Sequence, residues 1–183
     1  MQLPGRRYPV LQTLAGTAVA AAVGARLGLR GAELRSGVRL GLRSGTVVAA
    51  AIATSTAIPV VRAGMLARDL PQPAWKWLLV DIPLGTVWPE ETLYRGALGT
   101  LAADVFGPRL GRLLQAAVFG LSHIPDARDT GEPVVLTVVA TGAAGWVFGW
   151  LATHSGSLVA PALTHLAINE AGAVAALLVQ RGF

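Results

Sequence analysis

The sequence predicts an all-α fold, a multi-pass transmembrane helical bundle of about six membrane helices, some of them short or broken. Three observations carry this. Apolar residues make up 53% of the chain, charged residues only 14%, and the mean hydropathy is +0.56; soluble domains average about 25% charged residues. Most apolar stretches approach the ~20 residues a helix needs to cross a ~30 Å hydrocarbon core. No period-two alternation long enough for a membrane β-barrel is present, and neither is an internal repeat or a separate soluble region. The 183 residues therefore read as one membrane-embedded domain.

The elements follow in order. The first apolar run, Val10 to about Leu29, follows Arg6 and Arg7. It is long for a signal-peptide core, and Gly16, Ala20, Gly24 and Gly28 recur every fourth residue, so a retained first helix packed closely against another is expected. Between Arg26 and Arg43, Arg35, Arg39 and Arg43 share one helical face beside Leu34, Val38 and Leu42. That pattern predicts an amphipathic interfacial segment, placed on the cytoplasmic side by the positive-inside rule. A second span is expected over Gly45 to Val61, with small residues at Gly45, Ala49, Ala53 and Ala57 available to pair with the first helix.

The apolar stretch from Trp75 to Trp88 is too short for an ordinary span and carries Asp81 and Pro83, which predicts a broken or half-crossing helix. Pro89 suits the first position of a new helix to about Phe106. Gly107, Pro108 and Gly111 then break the chain before a short helix from Arg112 to His123, closed by Pro125. Residues 126–132 read as a polar loop. Val134 to His154 is a full span, Ser155-Gly156-Ser157 a tight turn, and Leu158 to Gln180 the last span.

With no cysteine, neither a disulfide framework nor a thiolate metal site can form. The net charge is +5, and Lys76 is the only one of fifteen basic residues that is not arginine. These arginines flank apolar runs instead of building a basic face with interleaved aromatics, so the partner is a lipid bilayer and not a nucleic acid.

An ionisable group near the bilayer centre costs at least ~2.5 kcal/mol on insertion scales, so it needs a partner or a wet cavity. Five such groups and one amide gather from residue 90 onward. Glu90, Glu91 and Arg95 open one helix, His123 ends the next, and His165 and Asn169 lie within the last. Glu91 and Arg95 are four apart in the favourable order for an ion pair. His165 and Asn169 are also four apart, on a face with Pro161 and Gly172. Carboxylates in a first turn complement a helix dipole, and a lone membrane histidine is commonly a packing residue. A glutamate pair and two histidines on separate helices make a shared site the better reading. His154 reads as a helix-end residue, whereas Asp81 and Glu170 read as cavity or interface residues.

The segments Trp88-Pro-Glu90-Glu91-Thr-Leu-Tyr-Arg95-Gly, Phe119-Gly-Leu-Ser-His123 and Gly156-Ser-Leu-Val-Ala-Pro161-Ala-Leu-Thr-His165-Leu-Ala-Ile-Asn169 resemble, in order, the EExxxR, FxxxH and HxxxN motifs of the CAAX-protease and bacteriocin-processing (CPBP) intramembrane proteases. The motif-bearing core spans about residues 75–180. The resemblance implies an endopeptidase, glutamate-dependent or metal-dependent, acting on a membrane-associated protein or peptide. It implies Glu90 as the general base for a water, Glu91 held by Arg95, and His123 positioning the water or binding a metal. His165 and Asn169 would stabilise the oxyanion, and Phe119 would form a wall of the substrate site. Either no cofactor is needed, or zinc is held by Glu90, His123 and His165, although no HExxH motif is present. Two alternatives use the same residues differently: a non-catalytic binding or bacteriocin-immunity protein on this scaffold, and an ion or proton carrier with the carboxylates and histidines as relay.

Overall fold

The computed structural model describes residues 8–183; Arg6 and Arg7, ahead of the first apolar run, lie outside the described residues. The described chain is all-helical. In order it forms α1 (Pro9–Ala22), α2 (Gly31–Ser55), α3 (Pro59–Leu66), α4 (residues 74–98), α5 (Gly99–Leu121), α6 (Ile124–Thr130), α7 (Val134–Ser155) and α8 (Val159–Gln180). Both α7 and α8 are long and apolar enough to cross a bilayer, and α2 with α3 makes a third such unit bent by 91°. At 14 residues, α1 reaches about 21 Å at 1.5 Å per residue, short of a full crossing.

The first run stops at Ala22 instead of continuing to Leu29. Gly24 (φ 74°) and Gly28 (φ 61°) take the left-handed conformation that glycine alone adopts cheaply, so only Gly16 and Ala20 of the small-residue stripe are buried helix-packing positions. The segment after α1 passes against the α7–α8 turn, where the Leu158 N–H donates to the Leu27 carbonyl at 3.0 Å.

The basic segment and the second span are one helix. Arg35, Arg39 and Arg43 are exposed along the outer face of α2, while Gly37, Gly41 and Gly45 are buried on the inner one. Those glycines seat successively on Val159, Ala160, Leu163 and Ala167, so α2 runs in the same direction as α8. The close pairing expected between the first and second helices thus belongs to the second and the last. Without side chains at 37, 41 and 45 the two backbones approach closely, and Ser44 Oγ meets Thr164 Oγ1 at 2.5 Å across the seam.

Between residues 74 and 98 the chain stays helical by alternating α and π turns, with π segments at Trp77–Asp81, Pro83–Val87 and Glu91–Leu98. Pro89 therefore starts no new helix. A proline inside a helix lacks an N–H and crowds the carbonyl four residues back; the wider turns around Pro83 and Pro89 accommodate both defects without breaking the rod. The real break is at Gly107 (φ 78°, ψ 166°), inside α5. The chain re-enters helix at Pro108, earlier than the expected Arg112, and Gly111 packs on the backbone of Ala102 and Ala103. The stretch expected as a loop contains α6, which has Pro125 in its first turn and ends at left-handed Gly131.

Candidate active site

Glu90, Glu91 and Arg95 come from α4, Phe119 and His123 from the end of α5, and His165 and Asn169 from α8. Glu91 is the buried pivot, with 0% of its surface exposed. Its Oε1 stands 3.3 Å from Arg95 Nη1 and accepts a hydrogen bond from His165 Nδ1 at 2.8 Å. An ionised carboxylate can only accept, so His165 Nδ1 carries a hydrogen and Nε2 is left for another partner. That Nε2 lies 3.8 Å from Glu90 Oε2. The expected Glu91–Arg95 proximity is therefore present, and the same carboxylate also orients His165.

Arg95 is sandwiched by aromatic rings: its guanidinium carbon lies 4.0 Å from the Phe119 centroid and 4.9 Å from that of Phe148, contacts that stabilise a cation with no water around it. Phe148 also stacks on His165 at 5.0 Å, while Phe119 meets His123 and His165 edge-on at 4.7 and 6.2 Å. Phe119 is only 2% exposed and lies behind the site. The expected substrate wall is thus a packing centre that fixes three of the polar side chains. His123 Nδ1 bonds the Phe119 carbonyl at 2.8 Å; a carbonyl cannot donate, so Nδ1 carries the hydrogen and Nε2 keeps its lone pair.

Glu90, His123, His165 and Asn169 line one cavity of about 1020 Å³, together with Ile168, Gly172, Ala173 and Ala176 of α8 and a polar margin that includes Lys76, Asp81, Asp126 and Asp129. Two polar atoms of this group are buried without a hydrogen-bond partner among the described residues, the acceptor Glu90 Oε2 and the donor Asn169 Nδ2. Asp81 is held by Lys76 Nζ at 2.6 Å. His154 is exposed and stacks on Trp150, away from the cavity. Among the described residues no group of three or more His, Asp or Glu side chains is arranged to hold a metal ion. His123 and His165 each commit Nδ1 to the protein, which leaves Nε2 as the nitrogen of each ring available to another partner.

Phe148, Tyr94 and the Ser44–Thr164 pair also support the site, and none stood out in the sequence. Phe148 lies in an apolar helix where one aromatic residue looks like any other; only its place one turn from Gly145, which packs on Phe119, marks it in retrospect.

Neither the curated proteins nor the solved structures contain a significant match to this chain. A family model does match: residues 72–171, just over half of the chain, fit the type II CAAX prenyl endopeptidase Rce1-like family. The match begins just ahead of α4 and ends just past Asn169, enclosing every side chain of the cluster around Glu91. The chain belongs to the Rce1-like family of type II CAAX prenyl endopeptidases.

Proposed function

We propose that the protein is an intramembrane endopeptidase that hydrolyses a peptide bond of a membrane-associated protein or peptide, with Glu90 as general base. Family membership and the apolar helices give the coarser statement, a membrane protease. The finer one rests on a single observation: Glu90 and Asn169, each with a buried polar atom that has no hydrogen-bond partner among the described residues, line one cavity with two oriented imidazoles.

The chemistry follows from those atoms. Glu90 takes a proton from a water molecule that the Nε2 lone pair of His123 helps to orient, and the resulting hydroxide attacks the carbonyl carbon. The carbonyl oxygen becomes an oxyanion, which accepts hydrogen bonds from Asn169 Nδ2 and from the Nε2–H of a protonated His165. Glu91, shared between Arg95 and His165, compensates the imidazolium and fixes the ring. The C–N bond then breaks as protonated Glu90 returns its proton to the leaving amine. Every proton is carried by the chain's own side chains, so activity is expected to survive dialysis against a strong chelator; loss restored by added zinc would contradict this.

The test is cleavage of membrane-inserted peptides by the reconstituted protein. Glu90→Gln removes the base and keeps the shape, and is expected to slow cleavage by about 10² to 10⁴. Unchanged cleavage would refute the assignment.

A further inference from the structure

The outer face of α2 carries charge that the candidate active site does not use. Between residues 26 and 43 the chain has five arginines and a single carboxylate, Glu33. Arg35, Arg39 and Arg43 recur every fourth residue along α2, and all three are exposed. None of them takes part in an ion pair among the described residues, and Glu33 lies beside Gly156 of the α7–α8 turn. Apolar side chains are interleaved with the arginines: Val38 is 36% and Leu42 57% exposed. A face that offers guanidinium and aliphatic groups together suits the boundary of a bilayer, where anionic headgroups meet hydrocarbon.

One turn farther along the helix the charge stops. Val47, 70% exposed, and Ala50, also exposed, continue the same face without an ionisable group, and Thr46 Oγ1 donates within the helix to the Leu42 carbonyl at 2.8 Å. The change from arginine to apolar side chains between residues 43 and 47 marks the edge of the hydrocarbon.

Because α2 and α8 run side by side in the same direction, that edge can be carried across the seam. Gly41 seats on Ala160 and Leu163, and Gly45 on Leu163 and Ala167, so Arg43 is level with about residues 163–165 of α8. From His165 to its end at Gln180, α8 rises about 23 Å at 1.5 Å per residue, less than the ~30 Å of an ordinary hydrocarbon core. The short α1 has a similar reach. Headgroups drawn down to Arg43 would thin the hydrocarbon to match these lengths.

We propose that Arg35, Arg39 and Arg43 form a docking stripe for the headgroups of anionic phospholipids, and that lipid held there sets the edge of the hydrocarbon at the level of His165. The claim concerns lipid class and membrane depth and is independent of any catalytic reading.

The test uses the full chain in nanodiscs of equal phosphatidylcholine and phosphatidylglycerol. Native mass spectrometry of the released protein reads which lipid is retained, and a spin label on Val47→Cys, in a chain without other cysteines, reads depth. Phosphatidylglycerol is expected in excess among the retained lipid, and replacing the three arginines by glutamine is expected to lower its ratio to phosphatidylcholine by about tenfold or more. The label is expected within about 6 Å of the headgroup edge, four residues at 1.5 Å each, and deeper in the glutamine variant. Should that variant fail to fold, Arg43→Gln alone is expected to shift both readings in the same direction. Equal retention of the two lipids by the parent, a ratio unchanged in the folded variant, or a label near the bilayer centre would each overturn the proposal; the first would leave the stripe to water or to a partner other than lipid.

Discussion

Glu90 and Glu91 are neighbours in sequence with opposite surroundings. Glu91 has no exposed surface and holds two cationic or donor groups, whereas Glu90 keeps 23% of its side chain exposed toward a cavity. Removing the charge at Glu91 leaves Arg95 buried without its counter-ion, and breaking a buried pair in this way costs about 3–5 kcal/mol. Glu91→Gln is therefore expected to lower the unfolding temperature markedly in a thermal melt; a variant as stable as the parent would mean that Arg95 has another anion nearby. Asn169→Ala should leave the fold intact and lower kcat by about 10² to 10³, with little change in KM, because the amide acts only on the oxyanion. A pure KM effect in steady-state kinetics would instead make Asn169 a substrate contact. The polar side chains of this cluster were legible in the sequence, since charge and imidazole in apolar helices need partners and the four-residue spacings put them on shared faces. Their aromatic bed was not, because Phe119 and Phe148 owe their role to three-dimensional neighbours and not to spacing.

At the scale of elements, the seam between α2 and α8 sets the position of His165. A Cβ at Gly41 would stand 2.9 Å from both the Ala160 carbonyl oxygen and Leu163 Cβ, too close without separating the helices. Gly41→Leu is thus expected to destabilise by about 1–3 kcal/mol or more and to reduce cleavage, since Thr164 and His165 move with the α8 backbone. Gly64→Ala in α3 is the control: nothing lies within 4 Å of its Cβ, and the gain in helix propensity is up to about 1 kcal/mol. Equal melting temperatures for the two variants would contradict the close seam. Apolar periodicity located α7 and α8 almost to the residue, because their composition admits no other solution in lipid. It misplaced the end of α1, where left-handed glycines stop a run that still looks apolar, and it read Pro89 as a helix start because π turns leave no mark in hydropathy. The partner of α2 was equally hidden, since a stripe of glycines announces a close contact without naming the helix it meets.

At the scale of the whole molecule, short and broken helices leave room for a large cavity beside the last span, and the cavity places polar chemistry within an apolar bundle. Gly172 lines it with nothing within 4 Å of its Cβ. Gly172→Leu should therefore occupy substrate space without touching the reacting groups, raising KM severalfold while kcat is largely kept; unchanged kinetics would place the substrate elsewhere. The central claim is that Glu90 moves the proton while Glu91 only holds the frame. The most direct measurement compares single-turnover cleavage and thermal unfolding of the parent, Glu90→Gln and Glu91→Gln in the same vesicles. The account predicts that Glu90→Gln melts with the parent yet cleaves at least about a hundredfold more slowly, while Glu91→Gln loses stability as well as rate. A Glu90→Gln protein that melts normally and still cleaves at the parental rate would contradict it.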